Sequence, residues 1–305
     1  MEILCIIYGV PSLLLSLLFL KFLNRNEFKY SFYRILQCDM VLNVLCYLNG
    51  WFIRFCNWKA SVPMMLVVYE NFYVAFQFTT FCVNFYFNAQ AMSVIFMSVH
   101  RLSSSKFLNA NGFWSKFYLP LYLLILTLSL FLAAYVYLNV MLRPKTYNYT
   151  LEVFMTTPVD PVQSSKLTTI FFFESLIYFS TILLVNVLTV LVIRNRFANK
   201  SSSDKSQKLK RNLTLIAIIN SSLYFIVFVW QLFGAGVFGI QFFLSSMYIL
   251  SDSLSLSLPY ILLAFDRNVR STLAGIIGGK AAVIARSLGN NNNMSQRTTS
   301  VVSVI

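Results

Sequence analysis

Residues 212–251 read NLTLIAIINSSLYFIVFVWQLFGAGVFGIQFFLSSMYILS, 40 residues without a charged side chain. As one helix rising 1.5 Å per residue this stretch would be about 60 Å long, twice a hydrocarbon core of roughly 30 Å. It must therefore break, and Gly234, Gly236 and Gly239 supply the place. The pattern predicts one membrane span to about Phe233 and another from about Ile240 to Phe265.

The same reading extends towards the amino terminus. Uncharged or nearly uncharged runs predict spans over about 3–20, 35–53 (containing Asp39), 72–99, 117–140 and 167–193 (containing Glu174), for seven in all. The first opens Met1-Glu2 and ends Leu20-Lys21, unlike a cleaved signal, which usually has a basic start and small residues at its end. A chain with 58% hydrophobic and 11% charged residues is too apolar for an ordinary soluble fold. Continuous apolar runs also argue against a transmembrane barrel, whose strands alternate apolar and polar residues over about ten positions. The expected fold is an all-α membrane protein, a seven-transmembrane helix bundle.

The net charge of +14 in a soluble protein would suggest nucleic acid, but its placement points to a membrane instead. One set of connections and the tail holds 19 Lys and Arg: Lys21 to Arg34, Arg101 to Lys116, seven from Arg194 to Arg211, and five beyond Phe265. The other set holds five: Arg54, Lys59, Arg143, Lys145 and Lys166. Basic loops stay cytoplasmic, so the amino terminus is expected outside and the carboxyl tail in the cytosol. The sequon Asn148-Tyr149-Thr150 then lies outside, a candidate glycosylation site at Asn148. Five scattered cysteines and a single histidine, His100, offer neither a disulfide framework nor a metal spacing, so no metal or other cofactor is expected.

Several local stretches carry a resemblance: Tyr8-Gly9-Val10-Pro11-Ser12, Ser31-Phe32-Tyr33-Arg34 leading to Asp39 and Asn43, Ser98-Val99-His100-Arg101, and Leu258-Pro259-Tyr260 running on to Phe265-Asp266-Arg267-Asn268. In this order the chain resembles the nematode chemoreceptors of the serpentine receptor class gamma family, over about residues 3–273. The resemblance implies a G-protein-coupled receptor of the plasma membrane that detects a small external molecule and engages a heterotrimeric G protein. Compared with better-known receptors of that type, His100 stands where a carboxylate usually precedes the arginine. No cysteine lies between Met141 and Lys166 to form the usual outer-loop disulfide.

Acids inside a bilayer are costly and mark functional positions by default. Asp39, Asn43, Asn84 and Asp252, with Ser255 and the helix-distorting Pro259, form a candidate activation network; static glue between helices is the plain alternative. Tyr73, Gln77, Thr80, Glu174, Tyr178, Trp230, Gln231 and Tyr248 are candidate ligand-binding residues, mixing aromatic walls with a few polar anchors. Arg101 is the candidate contact for the G protein or for the inner end of the sixth span; snorkelling to the interface would also account for it. Residues 274–305 are expected to form a cytoplasmic tail, disordered from about 289. Its Ser303-Val304-Ile305 end fits the carboxyl motif that adds as a strand to some peptide-binding scaffolds.

Other classes fit less well. A multi-span transporter or a ligand-gated channel for a small solute is the alternative, but neither repeated halves nor a glycine-rich re-entrant segment is present. An enzyme is not expected, since no span carries clustered His, Cys or Asp residues or an internal lysine.

Overall fold

The computed structural model describes residues 2–107, 109–140, 144–155, 161–199 and 204–276. Long helices occupy every predicted apolar run: α1 (Glu2–Phe22), α2 (Ser31–Asn57), α4 (Tyr73–Lys106), α5 (Ala110–Val140), α6 (Pro161–Asn199), α7 (Asp204–Phe238), and α8 (Ile240–Leu256) followed by α9 (Leu258–Phe265). A ten-residue helix, α3 (Val62–Asn71), and a two-stranded hairpin, β1 (Thr146–Asn148) with β2 (Val153–Met155), complete the named elements.

By length and composition, four helices among the described residues can cross a membrane: α4, α5, and the apolar parts of α6 and α7. A fifth crossing is complete only when Ser246–Leu256 and Leu258–Phe265 are joined across a 53° bend. Residues Ile6–Phe22 of α1 are apolar but shorter. The more polar α2 directs that polarity inward, burying Asp39, Asn43 and Arg54. The large apolar side chains do the opposite. Leu123, Leu130 and Phe131 of α5, and Phe173, Ile177 and Leu184 of α6, are exposed, while Ser12, Ser16, Asn84, Asn88 and Ser93 are buried. This inversion of the soluble pattern is what lipid imposes: backbone groups are satisfied within each helix, polar side chains turn inward, and apolar ones meet the acyl chains.

The break in the 40-residue stretch differs in place from the expectation. Helix α7 continues through Gly234 and Gly236 to Phe238, and only Gly239, with φ +82, leaves helical geometry to start α8. That positive φ is open to glycine at little steric cost, whereas Gly234 and Gly236 are simply tolerated inside the helix. Pro259 likewise sits at the start of α9 rather than within a continuous span. There the N–H that proline lacks has no helical acceptor to lose.

Close approach explains Gly9 in α1: a Cβ there would overlap the Tyr47 hydroxyl of α2. One turn on, Ser12 donates its hydroxyl hydrogen to the Tyr8 carbonyl at 2.7 Å, so it accepts from the Tyr260 hydroxyl, 2.8 Å away. Two stretches that sequence analysis singled out, 248 positions apart, thus meet.

The chain divides into two compact units, residues 1–261 and 262–305. In the second, Asp266 caps the start of a helical run over 267–276, accepting from the N–H groups of Asn268 (2.8 Å) and Val269 (3.3 Å). The later tail, including Ser303-Val304-Ile305, lies outside the described residues.

Candidate functional site

Within the first unit a cavity of about 300 Å³ opens between α2, α4, α6, α7 and α8. Its aromatic walls are Tyr86 and Phe87 of α4, Tyr178 and Phe179 of α6, Tyr224 and Phe228 of α7, and Tyr248 of α8. Polar groups reach it from Asn49 and Arg54 (α2), Gln90 (α4), Ser175 (α6), Ser221 and Gln231 (α7), and Ser251 (α8). Few polar anchors among many ring faces is the usual composition of a small-molecule site, and the volume lies at the lower end of the roughly 300–1,000 Å³ range. A larger hollow of about 690 Å³ lies between the ends of α5 and α6, but its lining draws on those two helices alone.

Three of the eight sequence-predicted binding residues, Tyr178, Gln231 and Tyr248, line the interior cavity. Tyr73, Gln77, Thr80, Glu174 and Trp230 do not. On α4 the cavity begins at Val83, so Tyr73, Gln77 and Thr80 stand nearer the end of that helix. Glu174 is one turn before Tyr178 and adjoins Ser175, and its Oε2 is buried with no hydrogen-bond partner among the described residues. Trp230 neighbours Gln231 but stacks on Phe238 at 5.2 Å and meets Phe242 at 6.0 Å.

The predicted polar network resolves into two parts. In the first, Asp39 accepts from Ser93 Oγ (2.6 Å) and Asn43 Nδ2 (3.0 Å). Because Ser93 spends its hydroxyl hydrogen there, it accepts from Tyr122 at 3.0 Å. Gln90 then uses its amide nitrogen for both Asn43 Oδ1 (2.7 Å) and Ser255 Oγ (3.2 Å). This chain ties α2, α4, α5 and α8 together, and Gln90 brings it to the cavity wall. Asn84 is buried, yet the bond that places it is its backbone carbonyl accepting from Asn88 Nδ2 at 3.1 Å, outside this chain.

The second part was not foreseen. Asp252 pairs with Arg54, whose two terminal nitrogens reach its carboxylate oxygens at 2.9 and 2.6 Å. One of them also donates to the Tyr248 carbonyl at 3.2 Å. The guanidinium lies 5.2 Å from the ring centres of both Trp51 and Tyr248. By its position in the sequence Arg54 reads as one of the rim cations; the signal that could have found it was Asp252, an intramembrane acid that needs a partner, with Arg54 at the end of another span.

At the hairpin end of the bundle the partner of the structure is aromatic. Phe154 of β2 stacks on Phe76 of α4 at 5.5 Å and meets Tyr69 of α3 edge-on at 5.8 Å, with buried Cys56 and Met65 in the same cluster. Cys56 is a free thiol. Nearby, Lys145 donates to Asn57, and burial pushes its ammonium pKa down from the ordinary value. Asn148 closes the hairpin turn, its Oδ1 accepting from the N–H groups of Thr150 (2.9 Å) and Leu151 (3.1 Å).

Arg101, 25 residues after Phe76 on α4, marks the opposite end. It is 1% exposed, so it neither snorkels nor presents a free surface. Its guanidinium lies 4.9 Å from the Phe32 ring centre and donates to the Thr214 hydroxyl of α7 at 3.4 Å. His100 beside it is fully enclosed, 2.9 Å from Ser31 Oγ. Ser31 donates its own hydrogen to Asn111 at 2.8 Å, so the imidazole carries its proton on Nε2.

A helical bundle that hides its polar chains and lines a cavity with rings invites comparison with known receptors. The model of a family described as Srg family chemoreceptor matches residues 3–273. The chain belongs to the Srg chemoreceptor family. Serpentine receptor class gamma-53 of Caenorhabditis elegans is 32% identical over 269 residues, 87% of this chain and 88% of that one. Serpentine receptor class gamma-47 of the same organism is 31% identical over 280 residues, 86% of each. This Srg protein is accordingly a chemosensory serpentine receptor and a multi-pass protein of the plasma membrane, a receptor rather than an enzyme by family.

Proposed function

We propose that this Srg receptor admits a small external molecule to the cavity between α2, α4, α6, α7 and α8 and relays its presence to a heterotrimeric G protein at the Arg101 end of the bundle. The single observation that carries the proposal is the cavity itself, walled by rings from four helices and touched by Gln90, the member of the buried polar chain that contacts both α2 and α8. A ligand that shifts Gln90 disturbs bonds to Asn43 and Ser255 together, a route from an occupied cavity to helix rearrangement.

The lopsided Lys and Arg distribution supports an external amino terminus and a cytosolic tail. Phe76 and Arg101 then lie on opposite sides of the membrane, about 37 Å apart along α4. The hairpin with Asn148, a candidate glycan site, shares the Phe76 end. Activation would release the enclosed Arg101 from Thr214 and Phe32 and expose it to the G protein.

The test is expression with a G-protein reporter and a screen of volatile and secreted small molecules. Gly50 lines the cavity, and a Cβ there would meet nothing within 4 Å. Gly50→Phe should therefore fill the cavity and abolish any response while surface expression persists. A ligand-dependent current in cells lacking the matching G proteins would instead favour a channel and defeat the coupling proposal.

A further inference from the structure

Among the described residues that line the cavity, Arg54 is the one charged side chain, and its counter-ion is not among them. Asp252 engages both terminal nitrogens of the guanidinium, so the wall carries a neutralised pair of which the cation, and not the carboxylate, borders the ligand space. We infer that Arg54 and Asp252 together set the polarity of the ligand: the receptor takes an uncharged, ring-bearing molecule with an oxygen acceptor, and rejects carboxylates and ammonium ions of the same shape.

The inference rests on the cavity being the ligand site, and the three ligand types differ in what each would leave unpaired there. An ammonium ligand meets the guanidinium first and is repelled in a medium of low dielectric constant. An ionised carboxylate must shed its water, and the cation it meets is already committed to Asp252. Two carboxylates would then share one guanidinium, and the desolvation cost goes uncompensated. A ketone, ester or ether oxygen loses far less water, and the dipole of the ion pair suits its partial negative charge. The rings of Phe87, Phe179 and Phe228 take the apolar remainder. The other polar groups are partly spent already. Gln90 has committed its amide nitrogen to Asn43 and Ser255, and the Tyr178 hydroxyl donates to Asn88. Arg54 and Asp252 are thus specificity-determining residues, and the pair is a charge filter as well as a link between α2 and α8.

The experiment measures thermal stabilisation of the purified full-length receptor in nanodiscs by compounds in matched triplets sharing one skeleton. Benzylacetone, hydrocinnamate and phenylpropylammonium are one such triplet, and further aromatic and alkyl skeletons extend the set. Wild type should be stabilised by the ketones, with acids and amines weaker by about tenfold or more in apparent affinity. Asp252→Asn leaves the Arg54 charge unbalanced and should move the preference towards the acids by a similar factor. Arg54→Gln leaves Asp252 and should move it towards the amines, which provides a second reading if either variant fails to fold. A wild type that prefers acids or amines overturns the inference while leaving the ligand cavity intact, as do folded variants that keep the wild-type ranking. If no compound stabilises wild type in a way that Gly50→Phe removes, the cavity reading itself falls, and the polarity inference falls with it.

Discussion

Around Phe154 the hairpin is held to the bundle by ring faces, whereas deeper in the membrane the helices are joined by bonds between buried polar groups. The aromatic cluster is non-directional: Phe76, Tyr69, Tyr147 and Met65 all surround Phe154, so losing one contact leaves the others. The polar links are exclusive. Both terminal nitrogens of Arg54 are held by the two carboxylate oxygens of Asp252, and among the described residues Gln90 is the one that reaches both Asn43 and Ser255. Removing one partner leaves the other buried without water to replace it. In this receptor the fixed part of the architecture is therefore adaptable at the hairpin end and exacting in the interior, where a ligand would act.

The contrast is broken most readily at the ion pair. Arg54→Leu should lower stability by about 3–5 kcal/mol, because it strands the Asp252 carboxylate, while Arg54→Leu combined with Asp252→Leu should recover most of that loss. Thermal unfolding of detergent-purified protein checks both, and a double variant no better than the single one would mean that the pair contributes through something other than charge. A smaller cost is expected for Gln90→Leu, about 1–3 kcal/mol by the same measurement, since it leaves the Asn43 carbonyl and the Ser255 hydroxyl short of a donor. The smallest belongs to the hairpin. Phe154→Leu keeps an apolar side chain in the cluster and should cost about 1 kcal/mol, seen chiefly as faster protease cleavage of the hairpin with the main melting transition unmoved. A global loss as large as that of Arg54→Leu would erase the distinction between the two regions.

Much of the plan was readable from residues. An uncharged run longer than a bilayer demanded an interruption, and the glycines located it to within a few positions, although only Gly239 needed its special backbone. The hairpin was not readable, because three-residue strands carry no periodic pattern and Phe154 is one phenylalanine among 30. Of the residues singled out for a pocket, Tyr178, Gln231 and Tyr248 line the cavity, whereas Tyr73, Gln77 and Thr80 stand nearer the end of α4 and Trp230 packs on Phe238 and Phe242; neither depth along a helix nor rotation about its axis is written in the residue pattern. Asp252 was recognised as a costly acid inside a span. Its partner, 198 positions away, was assigned to the rim because a cation at a span end ordinarily reaches for water.

Sequence alone determined that the chain is a set of apolar helices, how they are divided, and which polar residues stand inside them. Each of those properties is local: a helix satisfies its own backbone, and an uncharged run of sufficient length satisfies the lipid. Tertiary structure alone decided which polar residues meet, so that Arg54 faces Asp252 and Gln90 bridges Asn43 and Ser255. Lipid-facing and core-facing sides are both apolar here, so the residue pattern has little power to specify how each helix is rotated, and only packing against its neighbours does so.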